Sequence, residues 1–181
     1  MIRVAFGGAA RSGKDFAADY LLSKHGGHKL KFADPLHEAC RPMVESFGLP
    51  YERDRELLQF VGMWARERQP GAFIAPTMRQ VHQEPDYQWF LTDLRFEDEA
   101  EALLMNGFVL VEVTRPKDLP EPDATWRRHI SERALSKYNG WHYVIENCGT
   151  AEHFFEALDL LYKMIASEEH RKINFNMTHI R

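Results

Sequence analysis

Short apolar runs alternate along this chain with longer stretches whose apolar residues recur every three or four positions. The runs predict five strands, at 2–6, 28–32, 87–93, 108–113 and 142–147. The stretches between them predict helices, and the clearest is the amphipathic segment 150–166, with Thr150 as its N-cap. Strands that alternate with helices are typical of βαβ units on a parallel sheet. The pattern therefore predicts one α/β domain.

The spacing also divides the chain into regions. A domain is predicted over 1–166, and the polar segment 167–181 is expected to be a C-terminal tail. Within the domain, about 34–86 is mainly helical. The segment at about 115–128 holds three prolines and is predicted to be an exposed loop.

Composition narrows the possible partners. The chain has 181 residues and a formal net charge of −4, which argues against non-specific nucleic-acid binding. No apolar run approaches the length of a membrane span, and the two cysteines form no C-x-x-C pair. We expect a cytoplasmic protein with free thiols that binds small molecules, and neither nucleic acid nor membranes.

The stretch GGAARSGKD, residues 7–15, joins the first predicted strand to the first predicted helix. Gly8 and Gly13 bracket four residues and Lys14 follows, which matches a phosphate-binding P-loop except that Asp15 replaces the usual Ser or Thr. In such a loop the backbone N–H groups cradle phosphates and the lysine bridges them. We expect the nucleotide contacts to come from this loop and the start of its helix, at Gly8, Ala9, Ala10, Arg11, Ser12, Gly13, Lys14, Asp15 and Phe16.

Asp15 is the departure from the usual pattern. A carboxylate is a competent oxygen ligand for Mg²⁺, directly or through water, so the substitution is compatible with a metal. It also adds a negative charge beside a polyanion, and we expect Arg11 to offset that charge. The alternative is a strand-to-helix turn rich in small residues, in which Lys14 is a solvated surface charge.

The loop and later segments together resemble the deoxynucleoside monophosphate kinases of tailed phages. The segments that carry this likeness follow in order over about nine tenths of the chain: ARSGKD, KLKFADPLHEA, LLQFVGMWARE, FLTDLRFEDEAEAL, HISERAL and VIENCGTAEHFFEAL. The resemblance implies a three-layer α/β/α P-loop fold whose five-stranded parallel sheet has the order 2-3-1-4-5. It also implies transfer of the γ-phosphoryl of ATP to a deoxynucleoside 5′-monophosphate with Mg²⁺, and a homodimer. The animal-type phosphomevalonate kinases share the G-K-D-F run and match the later segments less well.

Acidic and basic residues follow two of the predicted strands at their carboxyl ends, where α/β sheets build their sites. Asp34 resembles the family's acceptor-side aspartate, and a helix N-cap before Pro35 is the alternative. Asp93 resembles a Walker-B carboxylate near magnesium or the acceptor, and Arg95 is expected to neutralise the acceptor phosphate. Their alternative is a helix cap with a solvated arginine.

Other candidates lie near the end of the second long helical stretch and around the proline-rich loop. Arg66 and Arg68 suit a phosphate and Trp64 suits a base, although core packing and helix termination explain them as well. The 115–128 segment resembles a lid, with Arg127 or Arg128 on the transferred phosphate; an ordinary surface loop is the alternative. The turn at Asn147, Gly149 and Thr150 is expected to border the adenine, or simply to cap the last helix.

These candidates predict a kinase in which Lys14, Arg11, Asp93 and the lid arginines act on the transferred group, and Asp15 and Asp93 face the metal. Two alternatives remain at this point. One is a kinase for another small phosphorylated acceptor, such as phosphomevalonate. The other is a non-catalytic nucleotide-binding protein.

Overall fold

The structure is a computed structural model that describes residues 1–52, 54–115, 135, 137–167 and 178–180. Strands and helices alternate along the chain as the hydrophobic pattern predicts. In chain order they are β1 Arg3–Gly7, α1 Lys14–His25, β2 His28–Leu30, α2 Asp34–Ser46, α3 Arg55–Arg68, α4 Ile74–Gln83, β3 Trp89–Leu91, α5 Glu97–Met105, β4 Val109–Thr114, β5 Tyr143–Glu146, α6 Ala151–Ala166 and β6 Thr178–Ile180.

The strands form one sheet in the order β2-β3-β1-β4-β5-β6, and every neighbouring pair is parallel. The predicted order 2-3-1-4-5 is confirmed. In the centre, Val4 of β1 pairs with Phe90 of β3 on one side and Val109 of β4 on the other. All the carboxyl ends of these strands consequently lie along one edge of the sheet.

The sixth strand, β6, comes from the segment that the sequence analysis treats as a polar tail. It pairs in parallel with β5, and Ile180 is buried in the core. Three residues are too few to show a strand period, so the hydrophobic pattern did not predict this strand.

Helices cover both faces of the sheet, because alternate residues of a strand point to opposite sides. Val4 and Phe6 of β1 pack with α1 and α6, whereas Ala5 packs into a second cluster with residues of α2, α4 and α5. The amphipathic pattern of α6 is confirmed by its buried face, formed by Phe154, Ala157, Leu158, Leu161 and Ile165. This layering produces the three-layer α/β/α architecture.

Two predicted features cannot be followed through the structure. The proline-rich lid segment and the helix expected at 130–137 lie outside the described residues, apart from Arg115, Leu135 and Lys137. Among the helices that are described, none is long and apolar enough to cross a bilayer.

Candidate active site

The loop between β1 and α1 has the backbone of a tight anion-binding turn. Gly8 and Gly13 adopt φ angles of 114° and 110°, and Arg11 between them is also left-handed at 64°. A Cβ on Gly8 would lie 2.4 Å from the carbonyl oxygen of Val113 in β4. The first glycine is therefore required by the close approach of the loop to the sheet, as well as by its backbone angle.

Lys14 is the first residue of α1, and its side chain folds back across the loop. Its Nζ donates hydrogen bonds to the carbonyl oxygens of Gly8 at 2.9 Å and Ala9 at 2.6 Å. Its ammonium group and the positive end of the α1 dipole are therefore together at this loop. This arrangement favours a bound anion and argues against the alternative of a solvated surface lysine.

Asn147, which was expected to border the adenine, follows β5 and contacts the P-loop. Its side-chain Nδ2 donates to the carbonyl oxygen of Ser12 at 2.8 Å. The Ser12 side chain is buried, and a Cβ on Gly13 would lie 2.4 Å from the same Nδ2. The contact joins residues 135 positions apart and holds the loop against β5.

The other residues predicted around the nucleotide lie near the first turn of α6. Thr150 caps this helix as predicted, because its hydroxyl oxygen accepts from the backbone N–H of His153 at 3.5 Å. Gly149 precedes it with a φ of 78°. Phe16 is half exposed, and its ring stacks 5.2 Å from that of Phe155.

Asp15 is held by groups that the sequence analysis did not assign to the site. Its Oδ1 accepts from Nζ of Lys29 and of Lys31, each at 2.9 Å, and from the Thr92 hydroxyl at 3.0 Å. Partial burial alone would raise the pKa of Asp15, but Lys31 and Lys29 lower it well below its ordinary value. The carboxylate is ionised, and these two lysines offset its charge where the sequence analysis expected Arg11 to do so. Lys29 and Lys31 are two positions apart in the predicted strand HKLKF, so the sequence already indicated that their side chains share one side of the strand.

Asp93 lies at the end of β3, as predicted, with both carboxylate oxygens bonded to the backbone. Oδ1 accepts from the N–H of Phe32 at 2.8 Å and Oδ2 from that of Ala33 at 2.9 Å. Burial raises its pKa, while these two N–H groups act in the opposite direction. Asp93 thus joins the carboxyl ends of β2 and β3 and does not cap α5, whose N-cap residue is Phe96. Its expected contact with magnesium stays a prediction.

Asp34 is the first residue of α2, and Ala33 occupies the N-cap position. The alternative N-cap role of Asp34 is therefore wrong. Burial raises the pKa of its carboxyl group, which the nearby charge of Lys31 counteracts. The side chain lines the cleft described below.

Arg66 of α3 is fixed by three side chains. Its Nη2 donates to Oε1 of Glu99 at 2.5 Å, and its guanidinium carbon lies 4.6 Å from the ring centre of Phe73 and 4.3 Å from that of Phe96. Glu99 is only 1% exposed, and burial raises its pKa to about 7 against the lowering effect of Arg66. The second oxygen of Glu99, Oε2, accepts from the backbone N–H groups of Arg95 and Phe96.

These groups surround one cleft of about 480 Å³ at the carboxyl edge of the sheet. The P-loop and the ends of β2 and β3 form one wall, and α2 and α3 form another. Its charged and polar lining consists of Arg11, Lys14, Asp15, Lys31, Asp34, His37, Arg55, Gln59, Arg66, Thr92, Asp93, Arg95 and Glu99. Six of these described residues are Lys or Arg and four are Asp or Glu, so the cleft suits an anionic ligand.

Two of the predicted substrate contacts lie elsewhere. Neither Trp64 nor Arg68 lines the cleft. The Arg68 guanidinium lies 4.6 Å from the Trp64 ring centre, and its Nη1 donates to the Trp64 carbonyl oxygen at 3.2 Å. Trp64 is 50% exposed, so it does not belong to the core, and its expected contact with a base stays a prediction. Arg127 and Arg128 fall outside the described residues, so their expected contact with phosphate stays a prediction.

One face of α3 lines the cleft, and of its residues only Arg66 was predicted from the sequence. Arg55, Leu58, Gln59, Gly62, Met63 and Arg66 all line the cleft at helical spacing. This three- and four-residue period was visible in the sequence, but it does not tell which partner the face meets. Glu99, the buried partner of Arg66, was likewise not among the predicted site residues.

Viral proteins are similar to this chain in sequence. No protein-family model matches the chain. "Uncharacterized protein ORF77" of Ictalurid herpesvirus 1 (strain Auburn) is 33% identical over 143 residues, which is 75% of this chain and 59% of that protein. The chain thus matches about three fifths of that relative's length. "Putative deoxynucleotide monophosphate kinase" of Acanthamoeba polyphaga mimivirus is 23% identical, over 87% of this chain and 94% of that protein.

A solved structure shows the same fold. Shikimate kinase from Bacteroides thetaiotaomicron superposes with a TM-score of 0.50 at 12% identity, over 92% of this chain and 99% of that chain. The chain has the three-layer α/β/α fold of the P-loop kinases.

Proposed function

We propose that this protein is an ATP-dependent deoxynucleoside monophosphate kinase of the kind found in tailed phages. It converts deoxynucleoside 5′-monophosphates to diphosphates. The observation that carries the proposal is one cleft lined both by Lys14 of the P-loop and by Arg66 and Arg95 on the other elements. A reaction between two phosphate groups needs cations for each of them. The resemblance over most of the chain and the name of the mimivirus relative support the nucleotide as acceptor.

In this proposal the P-loop amides, the start of α1 and Lys14 bind the donor phosphates. The helical region at about 34–86 holds the acceptor, and the arginines neutralise its phosphate. An acceptor phosphate oxygen attacks the γ-phosphorus, and the bond from that phosphorus to the β,γ-bridging oxygen breaks to release ADP. Positioning and charge compensation supply the catalysis, and no covalent enzyme intermediate forms.

The residues fit a magnesium ion that arrives with the nucleotide. Among the described residues no group of three His, Cys, Asp or Glu side chains could hold a metal by itself. The ionised Asp15 is a suitable single carboxylate ligand, because Mg²⁺ in such sites is held mainly by substrate phosphates and water. When bound, the ion would neutralise charge on the transferred phosphate. Asp15 would then exchange contacts with Lys29 and Lys31 for contacts with the metal or its water.

The substitution Lys14→Ala tests the proposed reaction. We expect turnover to fall by about two orders of magnitude or more, because a charge-assisted contact to the transferred group is lost. The matched control is Lys163→Ala, which removes an exposed lysine of α6. A coupled assay across the four common deoxynucleoside monophosphates, modified pyrimidine nucleotides and mevalonate 5-phosphate identifies the acceptor. Turnover of mevalonate 5-phosphate alone would favour the other kinase, and ATP binding without turnover would favour a non-catalytic protein.

Asp15→Ser, which restores the usual P-loop residue, tests the carboxylate. If Asp15 contacts the metal, the magnesium concentration for half-maximal activity changes, because a neutral hydroxyl replaces an anionic ligand. A titration of activity with MgCl₂ measures it, and an unchanged midpoint would show that the carboxylate matters little.

The homodimer and the cytoplasmic location follow from resemblance and composition, and sedimentation of the purified protein tests the dimer.

A further inference from the structure

Glu99 is a buried carboxylate that connects three separate parts of the cleft wall. Oε1 accepts from Nη2 of Arg66 on α3 at 2.5 Å. Oε2 accepts from the backbone N–H of Arg95 at 3.0 Å and from that of Phe96 at 3.1 Å. A charge that is 1% exposed is costly to desolvate, and an apolar side chain of similar volume commonly stabilises a fold at least as well. Capping the start of α5 accounts for the contacts of Oε2, but not for the contact of Oε1 with Arg66.

The guanidinium of Arg66 is restricted to one orientation. The rings of Phe73 and Phe96 lie 4.6 Å and 4.3 Å from its central carbon, and Glu99 bonds one of its terminal nitrogens. The other terminal nitrogen lies next to Gly62, where an added Cβ would come within 3.5 Å of it. Both Gly62 and Arg66 line the cleft. A guanidinium held in this way loses little conformational freedom when it binds an anion.

The same carboxylate also orders the backbone from which Arg95 projects. The two N–H groups bonded to Oε2 belong to Arg95 itself and to the next residue, and Arg95 lines the cleft as well. One buried anion thus sets the position of two cations that come from different elements. A pair of arginines at one cleft matches the bidentate recognition of a phosphate monoester.

We propose that Glu99 is a positioning residue that orients Arg66 and Arg95 to bind the phosphate of the acceptor. This inference rests on the proposed function, since it assigns these arginines to the acceptor and not to ATP. Glu99 does not contact the substrate. Its effect is transmitted through the guanidinium of Arg66 and the backbone at Arg95.

Among the described residues, the charged groups that act on Glu99 are the guanidinium of Arg66 from α3 and the carboxylate of Asp93 from the segment after β3, whereas Arg95 contacts it through its backbone N–H. Burial raises the pKa of Glu99 to about 7, against the charge of Arg66. Assays at pH 8 therefore compare an ionised Glu99 with its neutral replacement.

The test is the acceptor kinetics of Glu99→Gln at pH 8, with Glu101→Gln as the control from the exposed side of α5. We expect the KM for the deoxynucleoside monophosphate to rise about 10- to 100-fold, the range for losing a charge-assisted hydrogen bond. The KM for ATP should change less than about twofold, and kcat less than the acceptor KM. A purely structural role would alter both substrates alike.

A double-mutant cycle of Glu99→Gln with Arg66→Ala distinguishes a positioning role of Glu99 from a general disturbance of the fold. If Glu99 acts in part through Arg66, then Glu99→Gln raises the acceptor KM by a smaller factor in the Arg66→Ala background than in wild type. Glu99→Asp is the second variant, because a shorter carboxylate keeps the charge and the local contact with the start of α5 but withdraws from Arg66. It should remain folded at the assay temperature and still show the raised acceptor KM.

An unchanged acceptor KM in both Glu99 variants would overturn the inference, as would an equal rise in the KM for ATP or additive effects in the cycle. Wild-type protein that phosphorylates no deoxynucleoside monophosphate would reject the proposed function itself, and this inference with it. The two failures are distinguishable, because the first is read from variants of an active enzyme and the second from the wild type.

Discussion

The buried carboxyl of Glu99 couples the stability of this fold to pH. Burial raises its pKa from the ordinary 4.5 to about 7, although the Arg66 charge and hydrogen bond lower it. Between these two values the folded protein keeps a proton that the unfolded chain has released. The free energy of unfolding linked to this proton is therefore fully present below about pH 4.5 and is lost as the pH rises to about 7.

The size of the effect follows from the difference between the two pKa values. At 1.36 kcal/mol for each pKa unit, the change from 4.5 to about 7 corresponds to about 3 kcal/mol. Glu99→Gln has no proton to lose at this position, so its stability lacks this dependence. The quantity to measure is the difference in unfolding free energy between wild type and Glu99→Gln, because the titration of other groups cancels in it.

Urea denaturation of both proteins from pH 4.5 to pH 8 measures this difference. We expect wild type to lose about 3 kcal/mol relative to Glu99→Gln over that interval. Glu101→Gln, whose side chain is exposed, should show a difference from wild type that stays nearly constant. A difference that is independent of pH would refute the reasoning. A difference that grows in favour of wild type as pH rises would show that Arg66 outweighs burial.

The remaining predictions concern glycines. Gly13→Ala should cost about 2 kcal/mol or more and weaken ATP binding, because its Cβ would lie 2.4 Å from Nδ2 of Asn147 at a φ of 110°. Gly107→Ala, at a φ of 74° with nothing within 4 Å of the added Cβ, should lower the unfolding free energy by only about 1 kcal/mol in urea denaturation. Equal losses in Gly13→Ala and Gly107→Ala would show that the close approach to Asn147 does not destabilise the fold. Gly62→Ala should raise the unfolding free energy by about 0.5–1 kcal/mol, since its Cβ would lie 3.4 Å from Cδ2 of Leu36 and 3.5 Å from Nη1 of Arg66, which are both ordinary contact distances. A destabilised Gly62→Ala would show that α3 does not tolerate a methyl group there.

Local signals in the sequence were sufficient for much of the fold. The periods of strands and helices depend on neighbouring residues. The P-loop is a contiguous turn, because its glycines, its lysine and the start of the following helix lie within nine residues. Likewise, Thr150 caps α6 as predicted, because capping involves a residue only three positions away. Resemblance supplied the sheet order, which local patterns do not contain.

The partners of the site residues depended on contacts between distant parts of the chain. Arg66 and Glu99 are 33 positions apart, and Asn147 reaches the P-loop from 135 positions away. Trp64 and Arg66 are two residues apart on one helix, yet only Arg66 lines the cleft, because positions two apart do not share a helix face.

The sequence by itself therefore determined the first five strands of this protein, the helices between them and the P-loop, since these follow from short-range backbone preferences, whereas β6 was not predicted. The tertiary structure decided which charges meet. Asp15 pairs with Lys29 and Lys31, and Glu99 with Arg66, because the parallel sheet brings the carboxyl ends of separate strands to one edge and packs α3 beside them. Ion pairs depend on distance in space, and no period along the chain records that distance.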